Sequence, residues 1–231
     1  MVDNRMKLTY YGHACFAVIA GGKQLLFDPF IRPNPLAKKI EIEKIAADYI
    51  LVTHGHGDHV ADVVEIAKRT GATVIAPFET ASWLEKQGAA NVQGMNHGGA
   101  SQLPFGRVKL TAAVHSSSLP DGSYGGNPCG FVIESSDGNF YYSGDTALTM
   151  DMKLIGEQTK LRFAVLPIGD FFTMGIDDAV HAANFVGATK IVGVHYDTFP
   201  PIKIDHAAAI KTAQAGEKEL LLPRIGETID L

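Results

Sequence analysis

Short apolar runs of alternating character are separated by glycine-rich turns and interleaved with stretches at helical spacing along most of the chain. Runs at 8–10, 15–20 and 24–27 have strand length, and the last two join across Gly21-Gly22 as a hairpin. The run Tyr49-Ile50-Leu51-Val52 then empties directly into a histidine-rich segment. Residues 62–69 carry Val63, Val64, Ile66 and Ala67 at helical spacing, with Gly71 as the stop. A strand at 73–76 and a helix at 79–87, ended by Gly88, complete the first half. The second half repeats the order. It has a strand at 108–114, a hairpin of 129–134 and 140–143 around Asp137-Gly138, and a helix at 151–160. A strand at 163–166, a helix at 177–186 closed by Gly187, and a strand at 190–194 follow. A helix at 205–215 has Asp205 as N-cap and Gly216 as stop, and residues 228–230 make a last edge strand. Strands alternating with helices predict an α/β protein.

The hairpin strands ending at Asp28 and Asp145 each lead on, through a helix, to a strand ending in histidine, at His54 and His195. This suggests an internal duplication, with one domain over 1–231 and structural halves near 1–105 and 106–231. The Pro-rich stretch 28–35 and the Gly-rich stretch 94–99 read as loops.

Composition narrows the class. The 231 residues are 46% hydrophobic and 19% charged, which excludes a disordered chain. No apolar run approaches a ~20-residue membrane span, and residues 1–5 lack a signal peptide's apolar stretch. Asp plus Glu outnumber Lys plus Arg by 25 to 20, for a net charge of −5, and no basic run stands out. Duplex nucleic acid is therefore not expected as a partner, nor is a membrane. Two cysteines, Cys15 and Cys129, are too few for a disulfide scaffold in a chain this long. The expectation is a cytoplasmic protein with free thiols.

The chemistry concentrates in His54-Gly55-His56-Gly57-Asp58-His59. Histidines two apart on an extended segment send both imidazoles to one side, where they can chelate a single ion. The glycines let the chain turn and bring Asp58 and His59 to a neighbouring position. Imidazole nitrogen with carboxylate oxygen suits a borderline-soft divalent ion. His115, Asp145 and His195 each follow a predicted strand, where α/β sheets gather their sites.

With Tyr11-Gly12-His13, Phe27-Asp28-Pro29, Ser143-Gly144-Asp145-Thr146 and His195-Tyr196-Asp197-Thr198-Phe199-Pro200, these residues resemble those of metallo-β-lactamase-fold metal-dependent hydrolases. The resemblance spans essentially the whole chain. It points in particular to the small branch related to the L-ascorbate-6-phosphate lactonase, and it makes residues 1–5 a short extension before Met6. It implies a four-layer αββα sandwich with two mixed sheets flanked by helices. It also implies two divalent ions, Zn or Mn in the first place, with Ni or Fe as alternatives. His54, His56 and His115 would hold one ion, Asp58, His59 and His195 the other, and Asp145 would bridge them. Single occupancy would free Asp58 to act as a base. Two such ions ~3.5–4 Å apart share a hydroxide that attacks an ester, lactone or phosphodiester. Their residual positive charge favours a small anionic substrate. Self-association is a further expectation from the resemblance.

Around this set, Asp28 is expected to accept an N–H from a ligand histidine; the plainer alternative is a turn aspartate. His13 would act beside Asp58 and Asp145 as a substrate contact or proton donor, or else is a structural histidine. Ser116, Ser117, Tyr124, Phe171, Thr173, Tyr196 and Thr198 are candidate substrate contacts, although several are also ordinary turn residues. A serine nucleophile paired with histidine is formally available. His97, His181 and His206 are expected to be bystanders, and Trp83 to pack in the core. Three other classes compete: a nuclease or RNA-processing enzyme of the same fold, a mononuclear iron dioxygenase, and a non-catalytic metal-binding relative. The absence of a basic stripe weighs against the first, and the complete ligand set against the last. β-Lactam hydrolysis is not favoured, because the second ligand set lacks a cysteine.

Overall fold

Period-two alternation decides which way each strand of the first sheet faces. A computed structural model describes residues 6–231, so the expected extension at 1–5 lies outside the described residues. In this sheet β1 (Lys7–Gly12), β2 (Cys15–Ala20) and β3 (Lys23–Phe27) are antiparallel. Parallel to β3 follow β4 (Tyr49–Leu51), β5 (Thr73–Pro77) and β6 (Val92–Met95). The last strand of the chain, β14 (Thr228–Asp230), closes the edge beside β1. On β2, Phe16 and Val18 face the second sheet while Cys15 and Ala17 face outward. On β3 and β4, Leu25, Phe27, Tyr49 and Leu51 point in, and Leu26 and Ile50 point out.

The second sheet begins as a meander of β7 (Ala100–Leu103), β8 (Gly106–Ala112), β9 (Cys129–Ser135) and β10 (Gly138–Tyr142). It continues in parallel through β11 (Phe163–Pro167), β12 (Lys190–Val194) and β13 (Glu219–Leu221). Between the sheets Phe16 stacks on Phe27 at 4.5 Å, and Tyr142 meets Phe16 edge-on at 4.9 Å. Helices α2 (Val63–Thr70) and α3 (Phe78–Lys86) bury Val63, Ile66, Ala81 and Leu84 in the outer core of the first sheet. Helices α4 (Met152–Gln158), α5 (Ile176–Phe185) and α6 (His206–Ala215) cover the second. This is the expected αββα sandwich. Asp205 caps α6 through a 3.0 Å bond from Ala208 N–H. Both cysteines are free and buried, and among the described residues no helix is long and apolar enough to cross a membrane.

Three differences from the sequence reading matter for the site. First, the sheets do not divide the chain at 105: β7 precedes that point but joins the second sheet, and β14 returns to the first. Second, Asp28 and Asp145 do follow corresponding strands, β3 and β10, where each sheet turns from antiparallel to parallel. His54, however, follows the first parallel strand and His195 the second, so the two histidines are not equivalent positions. Third, β6, β7 and β13 were not expected, because Val92-Gln93-Gly94-Met95 and Ala100-Ser101-Gln102-Leu103 are short edge segments with little apolar contrast. Part of the loop expected at 94–99 is thus strand.

Candidate metal centre

Loops leaving the strand ends bring the predicted ligands together. Beyond β4 the chain stays extended through His54 and His56, then makes one helical turn, α1 (Gly57–Val60), that carries Asp58 and His59. His115 arrives three residues beyond β8, Asp145 three beyond β10, and His195 directly after β12. His54 Nε2 lies 3.0 Å from His56 Nδ1. Two nitrogens bound to one tetrahedral ion at ~2.0 Å stand ~3.3 Å apart, so this spacing already suits a shared ion. Asp145 Oδ2 is 3.2 Å from His59 Nε2, 3.0 Å from His195 Nε2, 3.7 Å from His115 Nε2 and 4.0 Å from His54 Nε2. Asp145 thus sits between the His54–His56–His115 group and the His13–Asp58–His59–His195 group.

Beneath the cluster, Asp28 is fully buried and accepts four hydrogen bonds. Thr53 N–H reaches Oδ1 at 2.8 Å, and Oδ2 takes Thr53 Oγ–H at 2.8 Å, His59 Nδ1–H at 2.9 Å and Tyr142 Oη–H at 2.7 Å. The Thr53 hydroxyl in turn accepts from His54 Nδ1–H at 2.9 Å. These bonds place a proton on Nδ1 of His54 and of His59 and turn the Nε2 atoms of both toward Asp145. Thr53 and Tyr142 escaped the sequence reading, since neither a strand-end threonine nor a core tyrosine stands out in one dimension.

The electrostatics fit a cation. Burial, helped by neighbouring His59, pushes His54 well below the usual histidine range, and burial also lowers His56 and His115, so all three stay neutral. Burial opposes charge on Asp145, but His195 and His59 outweigh it and keep the carboxylate ionised. Burial likewise disfavours a charged His59, and Asp145 and Asp28 on either side overcome it and raise its pKa. Two carboxylates facing one imidazole demand positive charge, as a metal ion would supply. His59 Nε2 and Asp145 Oδ1 are buried without a well-formed hydrogen bond. Neutral His54, His56 and His115, ionised carboxylates, and a His59 whose Nε2 proton a cation would replace make the donor set of a divalent-metal site.

His13 is buried, with left-handed backbone (φ 56°). Its Nε2 is 3.0 Å from Asp58 Oδ2, and its Nδ1 is 3.0 Å from Thr198 Oγ1. An ionised carboxylate only accepts, so Nε2 carries the proton and Nδ1 accepts from the Thr198 hydroxyl. Burial raises Asp58, but the His13 hydrogen bond and the nearby His59 prevail and hold it well below the ordinary carboxylate range.

The cluster lines a cavity of about 530 Å³ together with Phe172, Phe199 and Pro201. Of the candidate substrate contacts, the structure brings only Ser116 to this cavity, with Oγ 3.4 Å from His56 Nε2. Ser117 accepts Gly55 N–H at 3.0 Å and so braces the histidine loop. Tyr124 is exposed and bonds Asn127, and Thr173 Oγ–H turns back to Met174 O. Left-handed backbone at Asp170 and Phe171 folds their loop so that Phe172 faces the cavity and Phe171 faces solvent. Similarly, positive φ at His195 and Asp197 turns Tyr196 inward, stacked on Tyr10, and leaves Phe199 for the cavity wall. Thr198 serves His13 instead of a substrate. His97 bonds Pro128 O, His206 pairs with Asp197 at 2.7 Å, and His181 is exposed on α5. Trp83 is only partly buried against the outer core, and its Nε1–H donates to Asp121.

Residues 23–196 match the family model described as the beta-lactamase superfamily domain. A UPF0173 metal-dependent hydrolase of Flavobacterium johnsoniae is 53% identical over 226 residues, covering 98% of this chain and 100% of that protein. Another, from Methylacidiphilum infernorum, is 49% identical with the same coverage. Igni18, a metallo hydrolase of the archaeon Ignicoccus hospitalis, superposes with a TM-score of 0.87 at 34% identity over 98% of both chains. An isothiocyanate hydrolase from Delia radicum gut bacteria shares the fold, with a TM-score of 0.77 and 22% identity over 96% of this chain and 98% of that one.

Proposed function

Because the chain belongs to the beta-lactamase superfamily and, within it, to the UPF0173 metal-dependent hydrolases, we propose that its His–Asp cluster holds two divalent ions, Zn or Mn, and hydrolyses a small-molecule ester, lactone or phosphodiester. His54, His56 and His115 hold one ion, Asp58, His59 and His195 the other, and Asp145 serves both. The observation that carries this reading is Asp145 Oδ2, within 4.0 Å of a nitrogen from each histidine group. Bound ions supply an acidified water molecule as nucleophile and positive charge for the developing oxyanion. Asp28 and Thr53 keep the Nε2 lone pairs of His54 and His59 available. Asp58 is part-exposed to the cavity and oriented by His13, and only single occupancy would free it to take a proton from the nucleophile. A cavity of about 530 Å³ is of the size that takes a small molecule. The reading includes a cytoplasmic, self-associating protein without a nucleic-acid partner.

Elemental analysis of protein purified without added metal or chelator tests it, for wild type, Asp145→Ala and His195→Ala. Two equivalents of Zn or Mn in wild type, falling sharply in Asp145→Ala, support the reading. One equivalent of iron, unaffected by loss of His195, would replace it with the dioxygenase reading.

A further inference from the structure

The non-ligand part of the cavity lining differs in character from the metal cluster. Phe172, Phe199 and Pro201 belong to it, and no Lys or Arg is among the residues that line the cavity. Phe199 is held in place by edge contacts with His13 at 5.4 Å and a tilted contact with Phe30 at 6.4 Å. Phe172 is 52% exposed and packs edge-on against Phe171, itself 71% exposed, at 4.7 Å. Presenting two phenylalanines to water is unfavourable, and this loop does so with two consecutive non-glycine residues in the left-handed region, Asp170 at φ 58° and Phe171 at φ 59°. Such strain persists where surrounding structure imposes it, commonly at ligand sites. Here the Gly169–Gly175 bridge and the bonds from Asp170 N–H to Met174 O and from Met174 N–H to Thr146 O pin the loop.

Charge beside this lining points the same way. Pro201 also lines a neighbouring depression that holds Asp170, Asp177, Asp178 and Asp205 against a single lysine, Lys203. Among the residues lining the cavity, none of Phe172, Phe199 and Pro201 offers a cation or side-chain donor that would bind a phosphate or carboxylate tail.

We propose that Phe172, Phe199 and Pro201 form a subsite for an uncharged apolar group, so that the enzyme selects neutral aryl or alkyl acyl compounds over phosphorylated or carboxylated ones. This rests on the hydrolytic reading above and reverses the charge preference expected from the ions alone. The reacting carbonyl meets the cluster, while the apolar group packs against the phenylalanine side chains of the lining and excludes water from them.

The test uses the metal-loaded full chain with 4-nitrophenyl acetate, 4-nitrophenyl butyrate, the anionic hemiester 4-nitrophenyl succinate and bis(4-nitrophenyl) phosphate. Wild type should favour butyrate over succinate at least tenfold in kcat/KM. Phe172→Ala and Phe199→Ala should each lower the butyrate-to-acetate ratio of kcat/KM by ~10- to 100-fold, mainly through KM. Preference for the succinate or the phosphodiester, or an unchanged ratio in both variants, overturns the proposal. A separate binding arm titrates the neutral fluorophore N-phenyl-1-naphthylamine. Saturable binding to wild type that weakens at least tenfold in the Phe172→Ala/Phe199→Ala double variant supports the subsite. Equal binding to both, or none to wild type, refutes it. If wild type hydrolyses no compound of the panel yet binds the fluorophore in this way, the hydrolytic reading fails and the subsite stands.

Discussion

Tyr142→Phe removes one buried hydroxyl from beneath the cluster and leaves the ring that packs between the sheets. That hydroxyl donates to Asp28 Oδ2 at 2.7 Å, linking β10 of one sheet to the end of β3 in the other. Asp28 keeps three further donors, so the carboxylate is weakened in its support but not stripped. A hydrogen bond to a charged group contributes about 1.5–3 kcal/mol. For a domain of this size, ~2 kcal/mol corresponds to a Tm lower by about 4–8 °C. Thermal and urea melts of chelator-treated protein at pH 7.5 measure it. The alkaline limb gives an independent check. Burial, then the charge of Asp28, raises the Tyr142 pKa well above 10. The phenol therefore contributes stability that is fully present below its unfolded pKa of about 10 and is lost as pH rises beyond it. Wild type should lose stability above pH 10 more steeply than the variant. Asp28→Asn provides the contrast: the amide presents its own donors to the Thr53, His59 and Tyr142 donors. It should cost about 3–5 kcal/mol and lower metal affinity by about 10- to 100-fold. A Tyr142→Phe protein that melts within 1 °C of wild type, with an identical alkaline limb, would refute the role given to Asp28 as the hub of the site.

Thr198→Val removes the hydroxyl that holds the His13 ring through Nδ1 and should weaken metal binding about tenfold in a chelator competition, with Thr198→Ser restoring it; equal affinities for all three proteins would remove Thr198 from the site. His13 is pushed down to about 4, chiefly by burial, with the Asp58 hydrogen bond opposing. Its neutral form thus contributes stability above the unfolded pKa of about 6.5 that is lost as pH falls toward 4, about 3 kcal/mol at 1.36 kcal/mol per pH unit. Urea melts of chelator-treated His13→Gln should show a shallower slope than wild type across that window, and parallel slopes would contradict the assignment. At Gly169 an added Cβ would stand 2.1 Å from His195 O, a backbone atom with little room to move. Gly169→Ala should therefore lower stability by about 1–3 kcal/mol and reduce bound metal measured by elemental analysis.

What the sequence determined by itself was local chemistry. Histidines spaced two apart, followed by Asp58 and His59 across glycines, specify a chelating loop whatever surrounds it, because the spacing is covalent. The strands that precede His54, Asp145 and His195 were legible from their apolar runs, and the resemblance supplied the four-layer sandwich. The edge strands β6, β7 and β13 were not, since an edge buries little and needs little apolar contrast. Only the tertiary structure decided which residues stand around the ligands. Tyr142 reaches Asp28 from 114 positions away, across the sandwich. Thr198 reaches His13 from 185 away. The cavity wall went to Phe172 and Phe199 instead of Phe171 and Tyr196 because left-handed residues turn the chain in both loops. Composition cannot announce such turns, since aspartate and histidine adopt that backbone at some positions and not others, and phenylalanine only where its surroundings impose it. The His54–His59 part of the proposed ligand set is written in short-range spacing, whereas its meeting with His115, Asp145 and His195, and the side chains that support it, depend on two sheets closed face to face.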